Sequence, residues 1–166
     1  MNTIKKILIA LAVMMVAVTM AAPAVIGDEA AYTVTVLTGQ DTSIGAVNGA
    51  FGDVLRGTSK EITDSFTLTN NGDWNASVDA KFSTFNATNV YGMVNATSGI
   101  AIPGTAFSLD PDDTGAIALK AINEDTGIGT VTKGGGTMTC DAILDVPSSQ
   151  SAEAYSGTIL LTFSNA

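Results

Sequence analysis

Between residues 74 and 83 the chain reads WNASVDAKFS, with Trp74, Ala76, Val78, Ala80 and Phe82 on one parity and Asn75, Ser77, Asp79, Lys81 and Ser83 on the other. That period of two puts the apolar side chains on one side of an extended strand, whereas a helix would scatter them around its axis. The preceding run, EITDSFTLT at 61–69, carries the same rhythm: Ile62, Phe66 and Leu68 against Thr63, Ser65, Thr67 and Thr69. Two half-buried strands joined by Asn70-Asn71-Gly72 suggest a hairpin, and its register can be tested. A two-residue Asn71-Gly72 loop would set Thr69 opposite Trp74 and mix the two faces. A three-residue loop at 70–72 pairs Leu68 with Trp74, Phe66 with Ala76 and Ile62 with Ala80. It also puts Gly72 where a left-handed residue is needed. The expectation is that hairpin, with Trp74 in the core and Asn75 on the outer face.

Similar runs fill the rest of the chain. YTVTVLT at 32–38 comes first, and a short strand is expected around 90–94. TAFSLD is closed by the turn Asp110-Pro111-Asp112-Asp113-Thr114-Gly115, and AIALKAIN follows. TMTCDAILDV aligns Met138, Cys140, Ala142, Leu144 and Val146, and GTILLTFSNA aligns Ile159, Leu161 and Phe163. Glycine and asparagine break the runs, and no helical period replaces them. The expected fold is all-β: an antiparallel β-sandwich, jelly-roll or immunoglobulin-like, of about seven to nine strands.

Residues 1–24 differ from all of this. Lys5 and Lys6 precede an uncharged apolar run at 7–22, and Ala22-Pro23-Ala24 is an A-x-A-like cleavage site. That order is the order of a secretory signal peptide. An uncleaved anchor is the rival, because the apolar run approaches the length that spans a bilayer; Pro23 and the small residues favour cleavage. A type IV pilin signal would place a glycine between the basic residues and the apolar run, and none is there. Residues 25–166 are then a single sandwich domain, secreted to the extracellular space or cell surface. With Lys5 and Lys6 removed, five basic residues face 16 acidic ones. So acidic a surface repels nucleic acid and anionic lipid, so neither nucleic acid nor, after signal cleavage, a membrane is an expected partner.

The chain contains no histidine. Serine and cysteine triads built on an imidazole base are thereby excluded, as are most zinc sites. GIGTVTKGGG has Lys133 before its glycines rather than after them, so it is a loop tip and no phosphate cradle. Asp110, Asp112 and Asp113, joined by Glu124 and Asp125, supply the oxygen ligands calcium prefers. The same Asp-Pro-Asp-Asp-Thr-Gly run is also ordinary turn chemistry, and it lacks the EF-hand glycine and glutamate. Cys140 is the sole cysteine, which leaves a buried thiol or a bridge between subunits; the strand parity points it inward. No basic neighbour in sequence lowers its pKa, so a nucleophilic role is not expected. No enzyme is expected, and no cofactor beyond calcium.

Asn75, Asn86 and Asn95 each open an Asn-Ala-Ser/Thr triplet, the acceptor motif for N-linked sugar in an exported protein. All three are expected at solvent-facing positions on one side of the domain.

Two segments carry a family resemblance: TDSFTLTNNGDWNASVDAKFS at 63–83 and DVPSSQSAEAYSGTILLTFS at 145–164. The second follows a V-P-x-x-Q, A-x-x-Y-x-G-T-I-x-x-T-F ending found in secreted pilus and coat domains. The first resembles camelysin-type biofilm-fibre proteins and archaeal bundling pili. The leader and acidic, sequon-bearing body are similar to methanogen envelope proteins, including cell-sheath subunits. The resemblance implies a structural polymer, a filament, sheath or surface layer, built by sharing or edge-pairing β-strands. Its partners would be further copies of the chain and other envelope proteins. The strand-forming runs near 32–38 and 158–164, lying close to the ends of the mature chain, fit that reading. The competing expectation is a monomeric cell-surface module binding calcium or glycan through residues 110–113. A membrane-tethered accessory protein with an uncleaved leader is a third.

Overall fold

A computed structural model describes residues 29–37 and 41–166. The expected leader at 1–24 lies outside the described residues. Twelve strands follow one another: β1 (Glu29–Leu37), β2 (Thr42–Ile44), β3 (Ala50–Asp53), β4 (Ser59–Asn70), β5 (Ala76–Phe82), β6 (Gly92–Val94), β7 (Ala101–Pro103), β8 (Phe107–Pro111), β9 (Ile117–Ala118), β10 (Thr126–Val131), β11 (Gly136–Asp145) and β12 (Tyr155–Asn165). The one helical turn among the described residues is a 3-10 turn at Gly104–Ala106. One sheet runs β10-β5-β12-β1-β3, with β6 and β7 attached through β12; the other runs β2-β4-β11-β8-β9. The expected β-sandwich is therefore the observed fold. The strands exceed the expected number because β2, β3, β6, β7 and β9 are only two to four residues long. Segments that short show no readable alternation.

The sheets pack through the predicted inward faces. Ala76, Val78, Ala80 and Phe82 of β5 are buried, as are Met138, Cys140, Ala142 and Leu144 of β11 and Ile159, Leu161 and Phe163 of β12. Phe107 is the hub of an aromatic cluster. Tyr32, Phe51 and Phe82 meet it with ring centroids 5.0, 6.0 and 5.3 Å away, all near edge-to-face. Each such pair adds about 0.5–1.5 kcal/mol beyond its buried area.

The hairpin expected between 61–69 and 74–82 does not form. β4 pairs with β11 and β2 in one sheet, and β5 pairs with β12 and β10 in the other. The connection is an arch that crosses the sandwich, so the inward faces of β4 and β5 look at each other across the core. Asn70 holds the arch. It is fully buried, donates from Nδ2 to the carbonyls of Trp74 (2.9 Å) and Val131 (3.1 Å), and accepts Gly72 N–H at Oδ1 (3.0 Å). Trp74 falls in the arch rather than on a strand. Its expected place in the core is corrected to a half-exposed one.

β4 also breaks its own alternation. Phe66 pairs with Cys140 and Ile62 with Ala142, so Thr63, Asp64 and Ser65 together face Asp141. Asp64 adopts φ 50°, and the bulge turns Ser65 inward, against the expected outward position. Aspartate is among the few non-glycine residues that enter this left-handed region readily.

Candidate functional site

Two features of the sandwich stand out: the seating of β1 and an acidic cluster on the outer face of β4, β8 and β11.

β1 lies parallel to β12, in register from Ala30 opposite Tyr155 to Leu37 opposite Thr162. The other strand pairs are antiparallel among the described residues. On its second flank β1 meets β3 only through Glu29 to Ala31, with a register shift, followed by Tyr32 N–H donating to the Gly49 carbonyl at 2.8 Å. Beyond Tyr32 that flank has no strand partner among the described residues. The inward side is firmly held. Tyr32 inserts into the aromatic cluster, and its hydroxyl bonds the buried Ser65 hydroxyl, which donates to the Asn48 carbonyl at 2.7 Å. Burial pushes the Tyr32 phenol up, with the Ser65 bond pulling the other way. Outward, Thr33 and Thr158 touch hydroxyl to hydroxyl at 3.0 Å.

The remaining edges suit strand addition poorly. β2, β3, β7 and β9 are very short, and β10, the longest edge strand, is bulged between Gly127 and Gly129. Short and bulged edges are how sheets avoid pairing with another chain.

The acidic cluster joins residues far apart in sequence. Asp64, Asp112, Asp113 and Asp141, with Thr63 and Thr139, line an open cavity of about 190 Å³. Asp112 and Asp113 came from the sequence; Asp64 and Asp141 did not, because only the β4–β11 pairing brings them together. Three carboxylates in and beside the cavity each give one oxygen to the backbone. Asp141 Oδ1 accepts Asp64 N–H at 2.7 Å, Asp112 Oδ1 accepts Thr139 N–H at 2.8 Å, and Asp110 Oδ1 accepts Gly115 N–H at 2.8 Å. Among the described residues no group of three or more acidic, histidine or cysteine side chains is arranged to hold a metal ion. Of the calcium ligands expected from the sequence, Asp110, Asp112 and Asp113, the first two each give one carboxylate oxygen to a backbone N–H, Asp110 to Gly115 and Asp112 to Thr139. Glu61 at the cluster's border has its carboxyl raised above the ordinary range. A hydrogen bond with Asp141 is the largest cause, followed by desolvation and the charges of Asp141, Asp110 and Asp113.

Cys140 is a free, fully buried thiol, inward as its strand parity predicted. Burial first, then the charges of Asp112, Asp141 and Asp110, push it up to about 12. A thiol so enclosed is not presented at the surface of the single copy.

The three sequons differ. Asn75 is exposed and Asn86 is half-buried, but Asn95 is only 8% exposed. The expectation of three solvent-facing acceptors is corrected at Asn95, whose side chain folds under its own turn.

No family model matches the chain, and a search of characterised proteins returns no match either. The functional reading therefore rests on the fold and the geometry above.

Proposed function

We propose that the protein is a non-enzymatic structural subunit of an extracellular polymer, a filament, sheath or surface layer, whose copies are joined by β1 of one seated on β12 of the next. The observation that carries this reading is the parallel seating of β1 on Tyr155 to Thr162 of β12, with no strand partner on its second flank beyond Tyr32 among the described residues. The groove that receives β1 is specific: it has a hydroxyl partner for Tyr32 and aromatic walls from Phe51 and Phe107. A β1 from a second copy would make the same bonds as the resident one. Exchange therefore costs little beyond rearranging the connection to β2, and donation from copy to copy does not close on itself. The short and bulged edges favour exchange of β1 over pairing of edge strands.

The resemblance of 63–83 and 145–164 to surface-fibre subunits supports the same role, as does the proposed secretion leader at 1–24. Among the described residues no helix is long and apolar enough to cross a membrane. Self-association is the proposed partnership, with other envelope proteins as further members of the assembly. The test is negative-stain electron microscopy of the chain from residue 25 at high concentration. Filaments, tubes or sheets are expected; dispersed particles at every concentration would overturn the proposal.

A further inference from the structure

The three Asn-Ala-Ser/Thr triplets are nearly identical in sequence and unlike one another in the fold. Asn95 is closed. Its Oδ1 accepts Thr97 N–H (2.8 Å), Ser98 N–H (2.6 Å) and the Ser98 hydroxyl (3.1 Å), and its Nδ2 donates to the Ala154 carbonyl at 2.8 Å. That nitrogen is the atom a sugar would occupy, and it is buried against the segment that leads into β12.

Asn86 uses only its oxygen in the turn that follows it. Oδ1 accepts Thr88 N–H (3.0 Å), the Thr88 hydroxyl (2.9 Å) and Val90 N–H (2.9 Å), and Nδ2 takes no part in these bonds. Asn75 is exposed, and its oxygen accepts Lys133 N–H at 3.1 Å, which again leaves Nδ2 out. In both cases the side chain is held by its acceptor end while its donor end is uncommitted in that turn.

A second observation separates the same two sites from the third. The residue directly before each of them is a large exposed aromatic: Trp74 at 50% and Phe85 at 51%. Phe85 stacks on Tyr91 with centroids 5.0 Å apart, forming a small ring platform at the surface. Val94, before Asn95, sits half-buried in a strand. An exposed aromatic ring offers a flat apolar face beside the acceptor, and sugar rings present C–H faces that suit it.

We propose that Asn75 and Asn86, and not Asn95, are N-glycan acceptors, and that the sugar at each shields the aromatic ring before it, Trp74 or Phe85. In the transfer, Nδ2 attacks the anomeric carbon of a lipid-pyrophosphate-linked oligosaccharide. The C–N bond forms as the carbon–oxygen bond to the lipid pyrophosphate breaks, and the amide gives up one proton. An oligosaccharyltransferase supplies the catalysis. The inference is independent of whether copies assemble.

The test uses the folded chain from residue 25, a lipid-linked oligosaccharide and an oligosaccharyltransferase chosen because it modifies synthetic peptides of all three sequons. Site occupancy is read by glycopeptide mass spectrometry, and emission of the single tryptophan reports on Trp74. Asn75 and Asn86 are expected to be modified. Asn95 is expected to react at least about tenfold more slowly than its peptide, the factor that ~1.4 kcal/mol of local opening imposes. Tryptophan emission should move to shorter wavelength in wild type and N86Q but not in N75Q. Modification of folded Asn95 at its peptide's rate, or refusal of Asn75 or Asn86, would overturn the assignment. Occupancy of Asn75 with unchanged emission would overturn the shielding.

Discussion

Replacing Asn70 with alanine tests the arch that carries the chain from one sheet to the other. Three hydrogen bonds disappear: two from Nδ2, to the carbonyls of Trp74 and Val131, and one from Gly72 N–H to Oδ1. Each is worth about 0.5–1.5 kcal/mol net, and stranding a buried group costs about 1–3 kcal/mol. Gly72 and Trp74 can turn to water in the half-open arch, but Val131 is fully buried. The expected loss is therefore about 3 kcal/mol. In urea, with a slope of about 2 kcal/mol per molar, the midpoint should fall by roughly 1.5 M. Equilibrium unfolding followed by far-ultraviolet circular dichroism measures it. Asn70→Asp has nearly the same volume but aims a carboxylate at two carbonyl oxygens, so it should cost as much as alanine or more. If Asn70→Ala loses under about 1 kcal/mol, or Asp is clearly milder than Ala, the side chain fills space and the hydrogen-bonding argument is wrong.

Other consequences follow from the same packing. A methyl group on Gly49 would stand 2.0 Å from the Tyr32 carbonyl. Gly49→Ala should therefore push β1 outward, cost about 1–3 kcal/mol and speed hydrogen exchange across β1 without affecting β11. Cys140 should resist thiol reagents in buffer and react promptly in urea, and Cys140→Ser should cost about 1–3 kcal/mol without abolishing assembly. Because the folded thiol is pushed up to about 12, the stability it contributes is complete below the ordinary thiol range and is lost as pH rises towards that value. Unfolding midpoints should therefore fall at alkaline pH, and Cys140→Ala should remove part of that slope. Glu61 is also raised, so its ionisation opposes folding: stability should decline as pH climbs through and above the ordinary glutamate range, and Glu61→Gln should flatten the decline.

The faces of β5 and β12 were readable because their alternation is unbroken, and that of β11 because Met138, Cys140, Ala142 and Leu144 keep one parity toward the core although Asp141 between them is also buried. Strand partnership was not readable. A hairpin and an arch bury the same residues of 61–69 and 76–82, and they differ only in what Asn70 does, which composition cannot say. The bulge at Asp64 was hidden for a related reason: aspartate there reads as one more polar residue on an outer face, yet it bends the strand and turns Ser65 inward to meet Tyr32. The acidic cluster was half legible. Asp112 and Asp113 lie in one turn, whereas Asp64 and Asp141 join them only through the pairing of β4 with β11. The sequons are local motifs and were found at once, but the closure of Asn95 depends on Ala154, 59 residues further along.

The central claim, that copies are joined through β1, can be tested with a reporter built at the β1–β12 seam. The Thr33 and Thr158 hydroxyls lie 3.0 Å apart on directly paired residues, close enough for cysteines at both positions to bridge. In a Cys140→Ser background, Thr33→Cys with Thr158→Cys is oxidised after concentration and run on a denaturing, non-reducing gel. If β1 of one copy is seated on β12 of the next, the disulfides link chains and give a ladder that collapses to monomer with reductant. A single monomer band from concentrated protein, each chain locked to itself, would contradict the account.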